Sequence, residues 1–562
     1  MLTRLTGGRI FDPAQGLNGA VQDLFIRGGV IISAPDSGET ITADYNVSGK
    51  VVMAGAIDIH SHIAGGNVNT ARLLLPEQHR NFMARKLGHA FSTARWSTTE
   101  IGYRYAQMGY TTVVEPAVLP ANALDAHLQM ADIPIIDTAG LAILGNDDFL
   151  LRLMRGRASQ NQINDYVAWT LHATRCLGLK VINAGGANAF KSNARSFDLD
   201  DVVPDYGVSS RHILQTLQRA ACEIQLPHPV HVHCNNLGIP GNVDTAIATM
   251  EAAQGLPMHL AHIQFYGYGA EGVRGFSSAA AKLIDGFNKH RNITMDVGQV
   301  IFGQTVTISG DVIAQYSRRH DASPNKWVVW DAECEGSGGV VPYRYQEKSF
   351  VNSLQWLIGL EIFLLAEDPW RLFFTTDHPN GGPFTRYPYL IRLLMDSDFR
   401  LECMSKLNQE AVAMSLLKDL KKQFTLYEIA TMTRTAAARL LGLHDRGHLM
   451  PGAIADIAVY SEQADKEAMF TEVDLLFKNG ELVVKQGVIW QRRQGTTQTI
   501  QAQFHPHIKR DVQAYYDQFY NLSLDNFAVG DVSFNQTDSE HFVSHECGQA
   551  YFTPGAGLEH PL

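Results

Sequence analysis

Eight short apolar segments constrain the fold of this 562-residue chain more than any other feature. They are VVMAGAIDI, TTVVEPA, IPIIDTAG, LKVINAGG, PVHVHC, MHLAHIQF, NITMDVG and LFFTTD, and long helix-like stretches separate them. Continuously apolar strands of this kind are buried on both faces, as in βαβ units. We therefore expect an α/β fold with a TIM-like (β/α)8 barrel over residues 50–443, and a functional site at the carboxyl ends of its strands.

The segments on either side of the barrel predict a second, smaller unit. Residues 1–49 and 444–490 contain short alternating strands, including a hairpin that turns at Asn479–Gly480. We expect both to join into one small β-sandwich-like domain. Before the second of these segments, Thr425 and Glu428 form the capping box of an amphipathic helix. Residues 491–562 show no convincing fold of their own, and we interpret them as an extension available for contacts with other subunits.

Composition excludes several classes of protein. The 46 basic and 57 acidic residues give a net charge of −11, which argues against nucleic acid or an anionic membrane as a partner. The amino terminus lacks the pattern of a signal peptide, and no apolar run is long enough for a membrane span, so we expect a cytoplasmic protein. The six cysteines are scattered without a C-x-x-C pair. Any metal ligands should therefore be nitrogen and oxygen atoms.

Such ligands follow the predicted strands. Histidine, lysine and aspartate side chains lie at the ends of strands 1, 4, 5, 6 and 8: His60, His62, Lys180, His233, His262 and Asp377. Because the carboxyl ends of the strands meet at one face of a barrel, this order indicates a metal-dependent hydrolase.

A single histidine pair would not carry that interpretation. With 22 histidines in the chain, about one H-x-H pair is expected by chance, and three occur. His60 and His62 close an apolar strand, where residues two apart point to the same side. His505 and His507 lie in the extension beside a proline, far from any predicted strand, and we assign them no function.

Lys180 and Asp377 each have an ordinary interpretation and a chemical one. A buried lysine has a lowered pKa, and its neutral amine can react with carbon dioxide to form a carbamate that bridges two cations. The alternative is a salt-bridged lysine at the barrel mouth. Asp377 could contact a metal and carry a proton from water to a departing nitrogen. Its alternative is a capping residue in a glycine-rich turn.

Strands 5 and 6 each offer two histidines. His231 and His233 lie on one face of a strand, so either could be a ligand. His259 and His262 are three apart, and we expect them to face opposite ways. We prefer His233 and His262 because they lie nearer the strand ends, and we interpret His231 and His259 as buried, hydrogen-bonded core residues.

Several longer motifs carry a resemblance to a known family. The flanks AGAIDIHSH and PGAIADIAVY are similar to the entry and exit segments of the amidohydrolase superfamily, whose site here resembles the dihydroorotase or hydantoinase type. HVHCNNLGIPGN, HLAHIQFYGYG and TTDHPNGGPFTRYP resemble most closely the A subunits of formylmethanofuran dehydrogenase and of the bacterial formyltransferase/hydrolase complex. The resemblance covers residues 1 to about 490.

The resemblance implies a substrate and cofactors. It implies two Zn²⁺ ions whose ligands are the six strand-end residues named above, with Lys180 carboxylated and bridging the two ions. It implies cleavage of the N-formyl group of a methanofuran- or methylofuran-type carrier to formate and amine, beside a formyltransferase and other subunits of one complex. The low charged fraction favours the bacterial setting over the corresponding polypeptide of a molybdenum or tungsten formylmethanofuran dehydrogenase. Two further alternatives stay open: a free-standing dihydropyrimidinase- or hydantoinase-like cyclic amidase, and a metal-free scaffold protein of the complex.

Overall fold

Eight parallel strands form the central barrel, as predicted. A computed structural model describes residues 1–74, 97–272, 274–317, 328–332, 336–530, 534 and 541–548. Barrel strands 1 to 8 are Ala56–Asp58, Tyr110–Val118, Asp137–Leu144, Gly178–Ile182, Val230–His233, Met258–Leu260, Ile293–Asp296 and Leu372–Phe373. Neighbours in this order pair in parallel, and strands 1 and 8 meet through a bridge between Ser61 and His378.

Helices alternate with the barrel strands and continue after them. Within the described residues, the α-helices before barrel strand 5 are Gly66–Leu74, Thr98–Gln107, Ala123–Ala131, Asp148–Arg155, Gln160–Thr174, Gly186–Lys191 and Ser210–Ile224. Those between strands 5 and 8 are Val243–Ala252, Ala280–Lys289, Val312–Ser317 and Phe350–Leu365. The later ones are Tyr387–Met395, Ser397–Ser405, Gln409–Ala413, Leu426–Ala430, Ala436–Leu441, Lys466–Thr471 and His507–Phe519. The predicted capping box is present at Thr425, but a π-helical turn at Thr431–Thr435 interrupts its helix.

The first apolar segment is divided between two sheets, whereas the sequence pattern predicted one strand. Val51–Ala54 belongs to the small sheet and Ala56–Asp58 to the barrel. Gly55 lies between them, and a Cβ atom there would lie 2.2 Å from the Thr111 hydroxyl. Only glycine allows the chain to pass this close to barrel strand 2 while it changes sheets.

The small sheet contains nine strands from both ends of the chain, which confirms the predicted joining. Five come from the amino-terminal side, Leu2–Asp12, Leu17–Arg27, Val30–Ile32, Ala43–Asn46 and Val51–Ala54. Four come from the later segment, Ile457–Tyr460, Leu475–Lys478, Glu481–Lys485 and Val488–Ile489. Val51–Ala54 pairs with Ile457–Tyr460 and thereby connects the two halves. The predicted hairpin turns at Asn479 and Gly480, both with positive φ.

An inserted sheet between barrel strands 7 and 8 was not predicted. Its strands are Gly303–Ser309, Val328–Ala332 and Gly336–Tyr345, and they pair antiparallel. The first and last of them contact helix Gly66–Leu74 beside the carboxyl ends of the barrel strands. The insertion therefore covers part of the barrel mouth. A further pair, Tyr268–Gly269 and Ser277–Ser278, follows barrel strand 6.

The carboxyl-terminal extension is more ordered than its sequence indicated. Strand Thr497–Gln501 pairs with the start of barrel strand 3. Strand 4 pairs with strand 3 only from Leu141 onward, so the first residues of strand 3 are left with a free edge for this added strand. Phe542–Glu546 pairs with this added strand. Helix His507–Phe519 packs on Gln160–Thr174. Thr497–Gln501 and helix His507–Phe519 depend on the barrel for their partners, so their own residues carried little signal.

Candidate metal centre

All six predicted ligands line one cavity at the carboxyl ends of the barrel strands. His60 and His62 follow strand 1, Lys180 lies within strand 4 and His233 ends strand 5. His262 and Asp377 follow strands 6 and 8 in left-handed backbone conformations, with φ of 35° and 49°. Residues other than glycine adopt this conformation at an energetic cost, and such strain is concentrated at functional sites. His505 and His507 stack on each other in the extension and do not line the cavity.

Asp377 lies between the two histidines of strand 1. Its Oδ1 atom is 3.0 Å from Nε2 of His60 and 3.5 Å from Nε2 of His62. Asn380 donates a hydrogen bond to Oδ2 of the same carboxylate. Burial by itself raises the pKa of Asp377, but His262 and His60 lower it by more than burial raises it. The net pKa is therefore well below the usual range. The carboxylate is therefore ionised at neutral pH.

His233 and His262 form the other side of the cavity. Nδ1 of His233 lies 3.1 Å from Nε2 of His262. Nε2 of His233 contacts Asp311 at 3.3 Å, and Asp311 also accepts a hydrogen bond from Asn183. With Nε2 taken by a carboxylate, His233 presents Nδ1 to the cavity.

Lys180 is 2% exposed, and its Nζ atom makes no hydrogen bond among the described residues. Burial lowers its pKa to about 8, although Asp296 and Asp377 oppose the shift. A fraction of the amine is therefore neutral near neutral pH. A buried, unpaired amine beside carboxylates and imidazoles is the setting that carbamate formation requires.

Three carboxylates behind the ligands were missed in the sequence. Glu115, inside barrel strand 2, contacts Nδ1 of His62 at 3.0 Å. Asp296, at the end of strand 7, accepts hydrogen bonds from the His262 main chain and from Thr375. Asp296 was detectable, because it is an acidic residue at a strand end, whereas Glu115 lies inside its strand. Asp311 lies in the inserted segment, where no pattern marks it.

The carboxylates change the electrostatics of the ligands. Burial alone would lower the pKa of His62, but Glu115 and Asp377 outweigh burial and raise it to about 9. Binding of a cation to His62 must therefore release a proton. A carboxylate that accepts a hydrogen bond from the non-ligating ring nitrogen of a metal-binding histidine also fixes the tautomer and orientation of that ring.

His231 and His259 are buried and hydrogen-bonded, as predicted, but the expectation that His259 and His262 face opposite ways was wrong. His259 packs against His231 inside the barrel, with ring centroids 4.4 Å apart, and His262 lies 5.4 Å from the ring of His60. The strand ends at Leu260, and the left-handed turn at His262 brings its side chain back over the barrel axis. His231 and His259 do not line the cavity.

The donor set fits a metal centre. Among the described residues, two groups of side chains bring three donor atoms within 4.8 Å of one another: His60, His262 and Asp377, and His60, His231 and Asp296. Only the first group lines the cavity throughout. Nζ of Lys180 and Nδ1 of His262 are buried without hydrogen bonds among the residues described. Buried polar atoms rarely lack a partner, and the donor atoms of His60, His262 and Asp377 are of the kind that can hold a metal ion.

The cavity walls are mostly neutral. Apolar side chains such as Val118, Ile182 and Phe265 line it, and Tyr343 and Tyr345 reach it from the inserted sheet. These walls would exclude water from an uncharged group held over the ligands.

Comparisons with known proteins agree with this architecture. A model of the Amidohydrolase family matches residues 45–490. The A subunit of the formyltransferase/hydrolase complex Fhc of Methylorubrum extorquens is 46% identical over 539 residues, which are 95% of this chain and 97% of that protein. Protein FwdA of Methanocaldococcus jannaschii is 36% identical over 555 residues, 94% of this chain and 96% of that protein.

A solved structure extends the likeness to three dimensions. A chain in the crystal structure of the FhcABCD complex from Methylorubrum extorquens with methylofuran matches with a TM-score of 0.93 and 45% identity, over 98% of this chain and 100% of that one. Among the residues described, no helix combines the length and apolar character needed to cross a membrane. From the family match, the identities and the shared fold, we conclude that the chain belongs to the amidohydrolase family.

Proposed function

We propose that the protein hydrolyses the N-formyl group of a methylofuran- or methanofuran-type carrier to formate and the free amine, as one component of a formyltransferase/hydrolase complex. The observation that carries the proposal is the convergence of six metal-type side chains on one cavity, in a chain 46% identical to the Fhc protein of such a complex. The solved relative with a TM-score of 0.93 is named as a complex with methylofuran, which supports the choice of carrier.

We assign two divalent cations, by preference Zn²⁺, to the cavity. Their ligands would be His60, His62, His233, His262 and Asp377, with carboxylated Lys180 between the two ions. Imidazole and carboxylate donors suit zinc, and the chain offers no cysteine among the residues that line the cavity. When bound, the ions supply Lewis acidity toward the formyl oxygen and toward water.

Asp377 is the residue that we assign to proton transfer. It is ionised, buried and at the cavity surface, so it can accept a proton from the attacking water. The same proton then goes to the departing nitrogen as the carbon–nitrogen bond breaks. The reaction consumes one water and yields one amine and one formic acid, which loses its proton to solvent to become formate, and the carboxylate returns to its ionised form.

The other residues hold and shield the reacting group. Glu115 and Asp311 keep His62 and His233 in fixed orientations through their outer nitrogens. Tyr343 and Tyr345 of the inserted sheet, with Phe265, would exclude water around the carrier's reactive end.

The test measures metal content and substrate choice together. The chain is purified alone and co-expressed with the other proteins of its complex, zinc is counted per chain, and formate release from formyl-methylofuran is compared with ring opening of a dihydropyrimidine. We expect two zinc ions per chain and formate release. Ring opening without formate release would establish the cyclic amidase instead, and absence of both metal and turnover would leave a scaffold protein.

A further inference from the structure

A line of buried histidines connects the metal centre to the floor of the barrel. Nδ1 of His60 lies 2.9 Å from Nε2 of His231, and Nδ1 of His231 lies 3.2 Å from Nε2 of His228. Nδ1 of His228 lies 3.1 Å from the main-chain oxygen of Leu440. All three rings are at most 1% exposed. The line therefore runs through the protein interior by direct contacts from ring to ring.

The far end of this line has a fixed polarity. Leu440 lies in the last turn of helix Ala436–Leu441, where carbonyl groups have no partner within the helix. A carbonyl oxygen only accepts, so Nδ1 of His228 must carry the hydrogen. Burial, with a smaller contribution from His259, lowers the pKa of His228 to about 3. The ring is neutral, and its Nε2 atom is therefore an acceptor.

That polarity passes from ring to ring. Because Nε2 of His228 accepts, Nδ1 of His231 must donate. Nδ1 of His60 also faces the Asp296 carboxylate, which only accepts, so this nitrogen carries the hydrogen and Nε2 of His231 accepts it. Nδ1 of His60 then donates to His231. The remaining nitrogen of His60, Nε2, keeps its lone pair and points toward Asp377 at 3.0 Å.

We propose that His228 and His231 are positioning residues that hold His60 in the single tautomer able to bind metal through Nε2. The inference rests on the proposed metal role of His60, and neither positioning residue lines the cavity. The polarity is set at a main-chain carbonyl, which cannot donate. The three rings thus fix a tautomer and do not conduct protons.

Asp296 works in the same direction. Its Oδ2 atom lies 3.3 Å from Nδ1 of His60 and also accepts from His259 at 3.1 Å. A carboxylate at this place favours a hydrogen on Nδ1 of His60, as His231 does. In the other tautomer of His60, Nδ1 would have no hydrogen and would face two acceptors, so it would make no hydrogen bond there.

The test compares the zinc affinity of two variants in which His231 is replaced by a polar or by an apolar side chain. Zinc affinity of the metal-free protein is measured by competition with a chelator for wild type, His231→Leu and His231→Gln. A glutamine carbonyl can accept from His60 while its amide donates to His228, so polarity is preserved. The matched control is His127→Gln, because His127 is also fully buried and bonds a main-chain carbonyl at 2.7 Å, away from the centre.

We expect His231→Leu to bind zinc about 10–100-fold more weakly than wild type, while His231→Gln recovers most of the affinity and the control is unchanged. Equal affinity in wild type and His231→Leu would overturn the inference, and so would equal losses in the leucine and glutamine variants. If His231→Leu does not fold, His228→Leu and His228→Gln are compared by the same criterion. A wild-type protein that binds no zinc would overturn the proposed function itself, which distinguishes the two failures.

Discussion

Replacing Glu115 by glutamine should weaken metal binding at the proposed centre, although no proposed ligand is itself replaced. The carboxylate accepts from Nδ1 of His62 at 3.0 Å and from the Ala117 main chain at 3.1 Å through Oε1. Oε2 accepts from the main-chain nitrogens of Ile63 at 2.6 Å and Ala64 at 3.0 Å. All four contacts require an acceptor, whereas glutamine offers one oxygen and one NH₂ group.

The expected magnitude follows from that mismatch. If the amide oxygen stays on the main-chain donors of Ile63 and Ala64, the NH₂ group faces Nδ1 of His62 and the main-chain N–H of Ala117. The ring must then accept at Nδ1 and carry its hydrogen on Nε2, the nitrogen that lies toward Asp377. Loss of such outer partners lowers metal affinity by about 10–100-fold, which corresponds to about 1.4–2.7 kcal/mol.

The assay is chelator competition for zinc with Glu115→Gln, and formate release is measured in parallel. Glu361→Gln is the matched control, since Glu361 is 1% exposed and accepts from Ser415 and the Leu416 main chain, away from the cavity. We expect weaker zinc binding in the first variant only. Unchanged affinity and rate in Glu115→Gln, or the same loss of affinity in Glu361→Gln, would refute the reasoning.

Three further predictions follow from other parts of the structure. Lys180→Ala should lose the bridged metal pair and most of the activity; full zinc content with a wild-type rate would refute the carbamate. Asp137→Asn should lower the free energy of unfolding by about 1–3 kcal/mol, because Arg446 and Lys478, at 2.6 and 2.7 Å, lose their shared carboxylate and keep only Asp445 and Asp456. Burial raises the pKa of Asp137, but these two cations lower it by more, so the net pKa is below its usual value. The stability that Asp137 contributes is therefore present above about pH 4 and is lost as the pH falls. Urea titrations at pH 6 and pH 3 should show a smaller difference in unfolding free energy between wild type and Asp137→Asn at the lower pH. Gly442→Ala should destabilise the fold, because φ is 69° and a Cβ atom would lie 2.2 Å from a proline side chain; an unchanged melting temperature would contradict this.

Much of the barrel was predictable because its signal is local. Strands buried on both faces are continuously apolar, and each of the eight predicted segments overlaps one barrel strand. The joining of both chain ends in one sheet was also predicted, while the boundaries at residues 49, 443 and 490 and the assignment of individual ligands stay predictions. The inserted sheet was missed because its strands pair with one another and not with the barrel.

The sequence by itself determined the strand order and the residues that stand at the strand ends, because both depend on short-range periodicity. Tertiary structure alone decided how those residues are held. Glu115 is 53 positions from His62, Asp311 is 78 from His233, and His231 is 171 from His60. The tertiary structure also decided that His262 faces the cavity, because its own backbone is left-handed. The alternation of side chains along a strand cannot predict such a turn. The physical reason is that a ligand's tautomer and orientation depend on hydrogen bonds to groups brought close only by closure of the barrel.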